Sequence, residues 1–174
     1  MALTVEDGTG LTDADSFVSV AECDAYHLAR GNTTWTGSDS LKEAALRRAS
    51  LFLSNAYPWQ GWQFRPRLQA LAWPRGGVVD QDGFDVRSDE VPVEIRHATC
   101  EVALRELVSP GAMNPDVTTA ETVKSVTAGS VSVQFANAGP GAGANRPTLL
   151  VVRDLIAGLL RTGSGGLFGR AARV

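Results

Sequence analysis

Chemistry in this chain would have to come from a short set of residues. Its histidines are His27 and His97, each in a segment of helical pattern, where a surface or half-buried helix histidine is the simpler expectation than a metal ligand or catalyst. The stretch DQDGFD, Asp80 to Asp85, alternates carboxylates ahead of a glycine, the device by which a calcium loop aims several oxygens at one ion. A third carboxylate position and a bidentate glutamate are missing, so a solvated hairpin turn is the simpler expectation, and whether Asp80, Asp82 and Asp85 hold an ion stays open. GPGAGANRPT lacks the Gly-Lys-Ser/Thr ending of a phosphate loop and follows no dinucleotide spacing, so it reads as a flexible linker. No nucleophile elbow or triad context occurs. The pairs Glu94 with Glu101 and Glu101 with Glu106 read as a solvated helix face. The expectation is a protein without catalytic residues, metal or cofactor, and not an enzyme.

A different kind of site is written in residues 57–75, where Trp59, Trp62, Phe64, Arg65, Arg67, Trp73 and Arg75 interleave aromatics with cations. Single-stranded nucleic acid is bound by such mixtures, the rings stacking on bases and the cations tracking phosphates. The same tryptophans can equally fill a core. Within QALAWPRGG, Pro74 biases Trp73 toward extended backbone and Gly76-Gly77 marks a turn. Leu71 and Trp73 are expected to fill the gap between two helices, with Arg75 at the rim beside an aspartate of the acidic turn.

The elements that would position these residues can be read in order. Residues 1–15 look like an extended arm. Ser19 and Glu22 have capping-box spacing, Val18 can staple onto Cys23, and Gly31 suits a helix end, predicting a helix from Val20 to Arg30. Ser40 and Glu43 repeat the box before a second helix. Its stripe is Leu41, Ala45, Ala49, Phe52 and Ala56, with Leu46 and Leu53 beside it and Pro58 at its end. Residues 57–90 form a wrapping connection with a small hairpin at Asp82-Gly83. Pro92 suits the first position of a third helix carrying Ile95, Ala98, Thr99, Val102 and Leu107, stopped by Pro110-Gly111. A β-hairpin over about 122–136 follows, Val131, Val133 and Phe135 alternating with polar residues. Thr148 is placed to cap the last helix, LLVVRDLIAGLLR. The fold class is therefore mainly α: a small bundle of about four helices with a long wrapping loop, one β-hairpin and an extended C-terminal tail. Residues 1–162 would form one domain and 163–174 a flexible tail.

Bulk properties narrow the classes. The chain has 174 residues, 44% apolar and 20% charged, with a net charge of −3, which predicts weak DNA affinity for the isolated protein because phosphate binding rests on clustered cations. Cys23 and Cys100 fall in helical segments and are expected to be reduced and buried. The opening MALTVEDGTG has neither the basic nor the apolar region of a signal peptide, and no apolar run is long enough to span a bilayer.

The order of several segments resembles the head–tail connector, or adaptor, proteins of tailed bacteriophages. The carriers are VEDGTGLTDADSFVSVAECDAYHLARG, LKEAALRRASLFLSNA, LQALAWPRGG with its acidic turn, VPVEIRHATCEVALREL and VKSVTAGSVSVQF. The resemblance implies a structural virion protein, made in the bacterial host cytoplasm and resident at the head–tail interface. It implies a homo-oligomeric, twelve-fold ring under the portal protein. Genomic DNA would pass through its lumen without sequence-specific binding, and the tail or a next adaptor or stopper protein would attach below. On that basis the hairpin residues Val126, Val131, Val133 and Phe135 would meet neighbouring subunits. The tail residues Leu167, Phe168, Arg170 and Arg173 would bind the portal. Sequences of this type also go under a DnaT-like single-stranded-DNA-binding description, which supplies the alternative function.

Overall fold

The first helix begins where its cap dictates. In the computed structural model, which describes residues 2–115 and 147–161 in full and 125–128 and 131–134 as backbone strands, helix α1 spans Val20–Ala29. Ser19 Oγ accepts from the Glu22 amide, and Glu22 Oε2 accepts from the Ser19 amide at 2.9 Å, closing the capping box. Val18 and Cys23 are both buried, as a hydrophobic staple requires, and Gly31 leaves the helix at φ +64°.

Helix α2 spans Asp39–Ala56 and starts from Ser38, so the Ser40–Glu43 capping box does not form; Ser40 is already helical and Glu43 reaches Arg47 at 3.4 Å. Ala45, Leu46, Ala49, Phe52 and Leu53 are buried as the periodicity predicts. Leu41 is 58% exposed, because the first turn of α2 runs ahead of the core.

Two short strands follow, β1 at Trp62–Gln63 and β2 at Arg75–Gly76, paired antiparallel with Trp62 opposite Gly76. The sequence pattern gave no sign of this ladder. The expected hairpin turn does form: Val79 bridges Asp85, and Asp80 Oδ1 accepts the amides of Asp82 and Phe84, each at 2.9 Å.

Helix α3 spans Val93–Val108 and packs along α2. Pro92 stands one position earlier than expected, as the cap residue rather than the first helical one. The carboxylates of α3 correct the reading of a solvated face, since Glu101 and Glu106 are buried. Glu106, only 1% exposed, accepts from Arg48 Nε at 2.7 Å and from the amides of Gly111 and Met113. It thereby ties α2, α3 and the turn after α3 together. Glu101 accepts the Tyr26 hydroxyl at 2.9 Å, pinning α1 to α3.

Strands β3, Ser125–Ala128, and β4, Val131–Gln134, realise the expected hairpin, with Val126 opposite Val133 and Ala128 opposite Val131. Phe135 and the tail residues Leu167, Phe168, Arg170 and Arg173 lie outside the described residues.

Helix α4 is shorter than predicted. It spans Leu150–Ile156, continues as a 3-10 turn over Ala157–Leu159, and starts from Leu149 with no side-chain cap, so Thr148 does not cap it. Val152, Ile156 and Leu159 are buried, and α4 packs on α3. The described residues thus contain four helices and a β3–β4 hairpin, and the chain is mainly α.

The N-terminal residues are not a free arm. Val5 bridges Ser16, and the buried Glu6 carboxylate accepts the amides of Gly8, Gly10 and Leu11 at 2.9–3.0 Å. Three amides on one carboxylate curl the segment into a loop whose end, Phe17 and Val18, enters the core. Gly8, at φ +100°, lies so close to the Asp89–Glu90 backbone that a Cβ there would collide with it.

Trp73 is the centre of the wrapping connection. It is fully buried and meets Trp59 edge to face, ring centroids 5.8 Å apart; Trp59 in turn contacts Tyr57, and Tyr57 contacts Phe52 of α2. Ala72, its neighbour, donates its amide to Ser54 Oγ. Trp73→Ala should cost about 3–5 kcal/mol. Trp73→Phe should cost clearly less, because it keeps a ring in place and leaves out an indole N–H that meets no acceptor among the described residues. Thermal melting of both variants checks this, and an unchanged midpoint for Trp73→Ala would contradict the core role.

His27 is buried with both ring nitrogens engaged: Nε2 donates to the Cys100 carbonyl at 3.1 Å and Nδ1 accepts from Asn32 at 3.0 Å. Burial holds its pKa below the ordinary 6.5, against the hydrogen bond to Cys100. Burial, helped by Arg30 and Arg96, does the same for His97. The unfolded chain therefore takes up these protons first, and stability should fall as pH drops below 6.5 toward the lower native values while staying level above it. Urea midpoints across this window test the direction; a midpoint unchanged between roughly pH 7.5 and pH 5.5 would refute it.

Candidate nucleic-acid interface

The segment singled out for its aromatics and arginines is split by the fold. Trp59 and Trp73 go to the core. Arg75, half-buried, donates to the carbonyls of Gln60 at 2.6 Å, Gly61 at 2.9 Å and Ala72 at 3.1 Å. It is a cage-filling cation that holds the loop closed, not a rim residue paired with an aspartate. Burial lowers its pKa, with Arg161 nearby adding to the effect.

What remains outside is Trp62, Phe64, Arg65, Arg67 and Leu68, all exposed. Trp62 is 64% exposed yet has a defined seat. Its indole lies across the backbone of Gly76 and Gly77: a Cβ on Gly76 would stand 3.1 Å from the indole Nε1, and one on Gly77 would collide with the six-membered ring. Gly61, at φ +60°, brings the start of β1 hard against the carbonyls of these glycines. The ring is therefore held against bare backbone while most of the side chain stays open to solvent.

Alternation along the extended chain sends Trp62 and Phe64 to the same side, while Gln63 turns inward and donates to the Leu71 carbonyl. The Phe64 amide bonds the Pro74 carbonyl at 3.1 Å and continues the ladder. Beyond it the chain turns over Arg65–Gln69 around the buried Gln69. The Gln69 Oε1 accepts the Arg65 amide at 2.8 Å, and its Nε2 donates to the carbonyls of Leu71 and Pro74. This bracket displays Arg65 and Arg67, and Arg67 adopts φ +63°. The Arg65 stem rests on Gly10 of the N-terminal loop, and Ala70 donates to the Leu11 carbonyl, so the N-terminal loop supports the turn from below. Neither Arg65 nor Arg67 enters an ion pair among the described residues.

The arrangement offers an exposed aromatic ring, a second ring and two uncompensated guanidiniums on one turn. The aromatic-and-arginine pattern pointed to this segment, but it did not tell core rings from surface rings. The supports, Gly76, Gly77 and Gln69, carried no signal beyond the Gly-Gly turn mark. His27 and His97 belong to the α1–α3 contact, and no group of His, Cys, Asp or Glu among the described residues is arranged to hold a metal ion. Cys23 and Cys100 are buried and free, as expected, and the neighbouring Cys100 and burial push the Cys23 thiol far up. No helix among the described residues is long and apolar enough to cross a membrane.

No curated protein and no solved structure matches the chain. The family model described as "Putative DnaT-like ssDNA binding protein" matches it from residue 1 to residue 174, and the protein belongs to that family.

Proposed function

We propose that the protein is a binding protein for single-stranded DNA, without catalytic function, and that it contacts the strand through the Trp62–Leu68 face. The observation that carries this reading is the seat of Trp62: a large ring held against Gly76–Gly77 and still mostly exposed to solvent. An unpaired base has a π-face to stack there, whereas a base inside a duplex has both faces occupied. Phe64 offers a second ring on the same side, and Arg65 and Arg67, exposed and in no ion pair among the described residues, suit phosphates. The family description points the same way. A net charge of −3 keeps long-range attraction to DNA low, so binding is modest and local.

A second reading, the ring-forming connector under a phage portal, is favoured by one feature. Strands β3 and β4 pair with each other and with no third strand among the described residues. A two-stranded ribbon is marginal alone and gains from a neighbour's surface. The connector reading expects a discrete oligomer by sedimentation velocity that Val133→Arg disrupts; a monomer at all concentrations, with or without portal, speaks against it.

For the DNA reading, Trp62→Ala should weaken binding of a labelled oligo-dT by about 1–3 kcal/mol, or roughly 5- to 150-fold. The two guanidiniums predict a slope of log K on log salt of about −1.4. That slope should flatten in the Arg65→Ala, Arg67→Ala double variant. Fluorescence anisotropy measures both. Affinity for oligo-dT unchanged in both variants would sink the assignment to this face.

A further inference from the structure

A second concavity lies away from the Trp62 face, between α1 and the first two turns of α3. It has a volume of about 270 Å³, and Ala25 and Val93 give it apolar walls over the buried Val18. Its surroundings extend the apolar character: Ala21, Ala25 and Leu28 recur along the outer side of α1, and Leu28 is 84% exposed. Charge is confined to the rim. Arg96 stands 3.4 Å from Glu22, whose other oxygen is already committed to the Ser19 cap. Arg30 lies with its guanidinium carbon 3.6 Å from the centroid of the Tyr26 ring and enters no ion pair among the described residues. His97, neutral at pH 7 and 4.8 Å from Tyr26 between ring centroids, closes the far side.

Two features select the occupant. The aromatic ring in the cleft is not offered for stacking: Tyr26 is buried and Arg30 covers one of its faces, so the site does not suit a nucleobase. Arg30 and Arg96 outnumber Glu22, the one acid among the residues lining the cleft, and the walls fit aliphatic groups. We infer that this cleft is a docking site for a partner protein's acidic, aliphatic peptide segment, an aliphatic side chain entering between Ala25 and Val93 while flanking carboxylates pair with Arg30 and Arg96. Glu22 remains at the edge, where it meets a backbone amide of the segment.

The site is tested on the full chain with a short fluorescein-labelled peptide that alternates leucine with glutamate. Two controls accompany it, one with glycine in place of leucine and one with arginine in place of glutamate. Ala25→Trp fills the cleft from an exposed position, and Arg30→Glu reverses its rim. Saturable binding of the leucine–glutamate peptide alone is expected, weakened at least about tenfold by either variant with thermal midpoints unchanged. Trp62→Ala should leave this binding intact, which separates it from the DNA face. Equal binding of the leucine-free peptide would reduce the effect to charge adsorption and overturn the inference. So would the absence of saturable binding, or affinity retained in both variants. Loss of oligo-dT binding in Arg30→Glu would reassign the cleft to nucleic acid.

Discussion

Much of this structure depends on the insertion of Trp73. A connection of over thirty residues between α2 and α3 would be a floppy tether if its own side chains did not fold it back. Trp73 enters the core beside Trp59, and the contact closes the segment into a loop anchored at both ends on one aromatic cluster. Arg75 then fills the mouth of that loop with three carbonyl bonds, and Gln60 fastens it to the end of α4 through the carbonyls of Gly158 and Leu160. A guanidinium in a carbonyl cage is an efficient staple, since one planar group satisfies several acceptors that the turn would otherwise leave without partners. Both ends of the segment being fixed, the residues between them, 62 to 69, have one way to lie.

That constraint explains why the three tryptophans of this connection, with similar local surroundings, end in different places. Side-chain chemistry is the same at Trp59, Trp62 and Trp73; burial follows from where the closed loop turns. Periodicity identified the helices because an amphipathic face repeats within a few turns, and Ala45, Ala49 and Phe52 sit where it places them. Leu41 breaks the stripe because helix ends extend past the core they serve. The Ser40–Glu43 spacing failed as a start signal for a related reason: Ser38 and Asp39 lie just ahead with equal local merit, and tertiary packing chose between them.

The buried carboxylates were the least legible residues. Glu6, Glu101 and Glu106 are all buried, and acidic side chains on a helix or in a polar arm ordinarily face water. Each is held by donors that sequence spacing does not display: three amides of one tight loop, a tyrosine on another helix, an arginine together with the turn after α3. Such partners are long-range or depend on loop closure, so a local pattern contains only half of each interaction. The candidate site shares this property. The arginine-and-aromatic pattern marked residues 57–75, whereas the glycines and glutamine that shape the surface were visible only once β1 met β2.

The seat of Trp62 links two positions that are fifteen residues apart, 62 and 77. Gly77 has no freedom to acquire a side chain while the indole lies over it, and the indole has no flat support once that glycine is gone. A side chain at 77 would collide with the ring, and a smaller residue at 62 would leave the Gly76–Gly77 backbone bare. Losing the ring would remove the collision but not the constraint, because Gly77 at φ +68° holds a backbone conformation that strains any residue with a side chain.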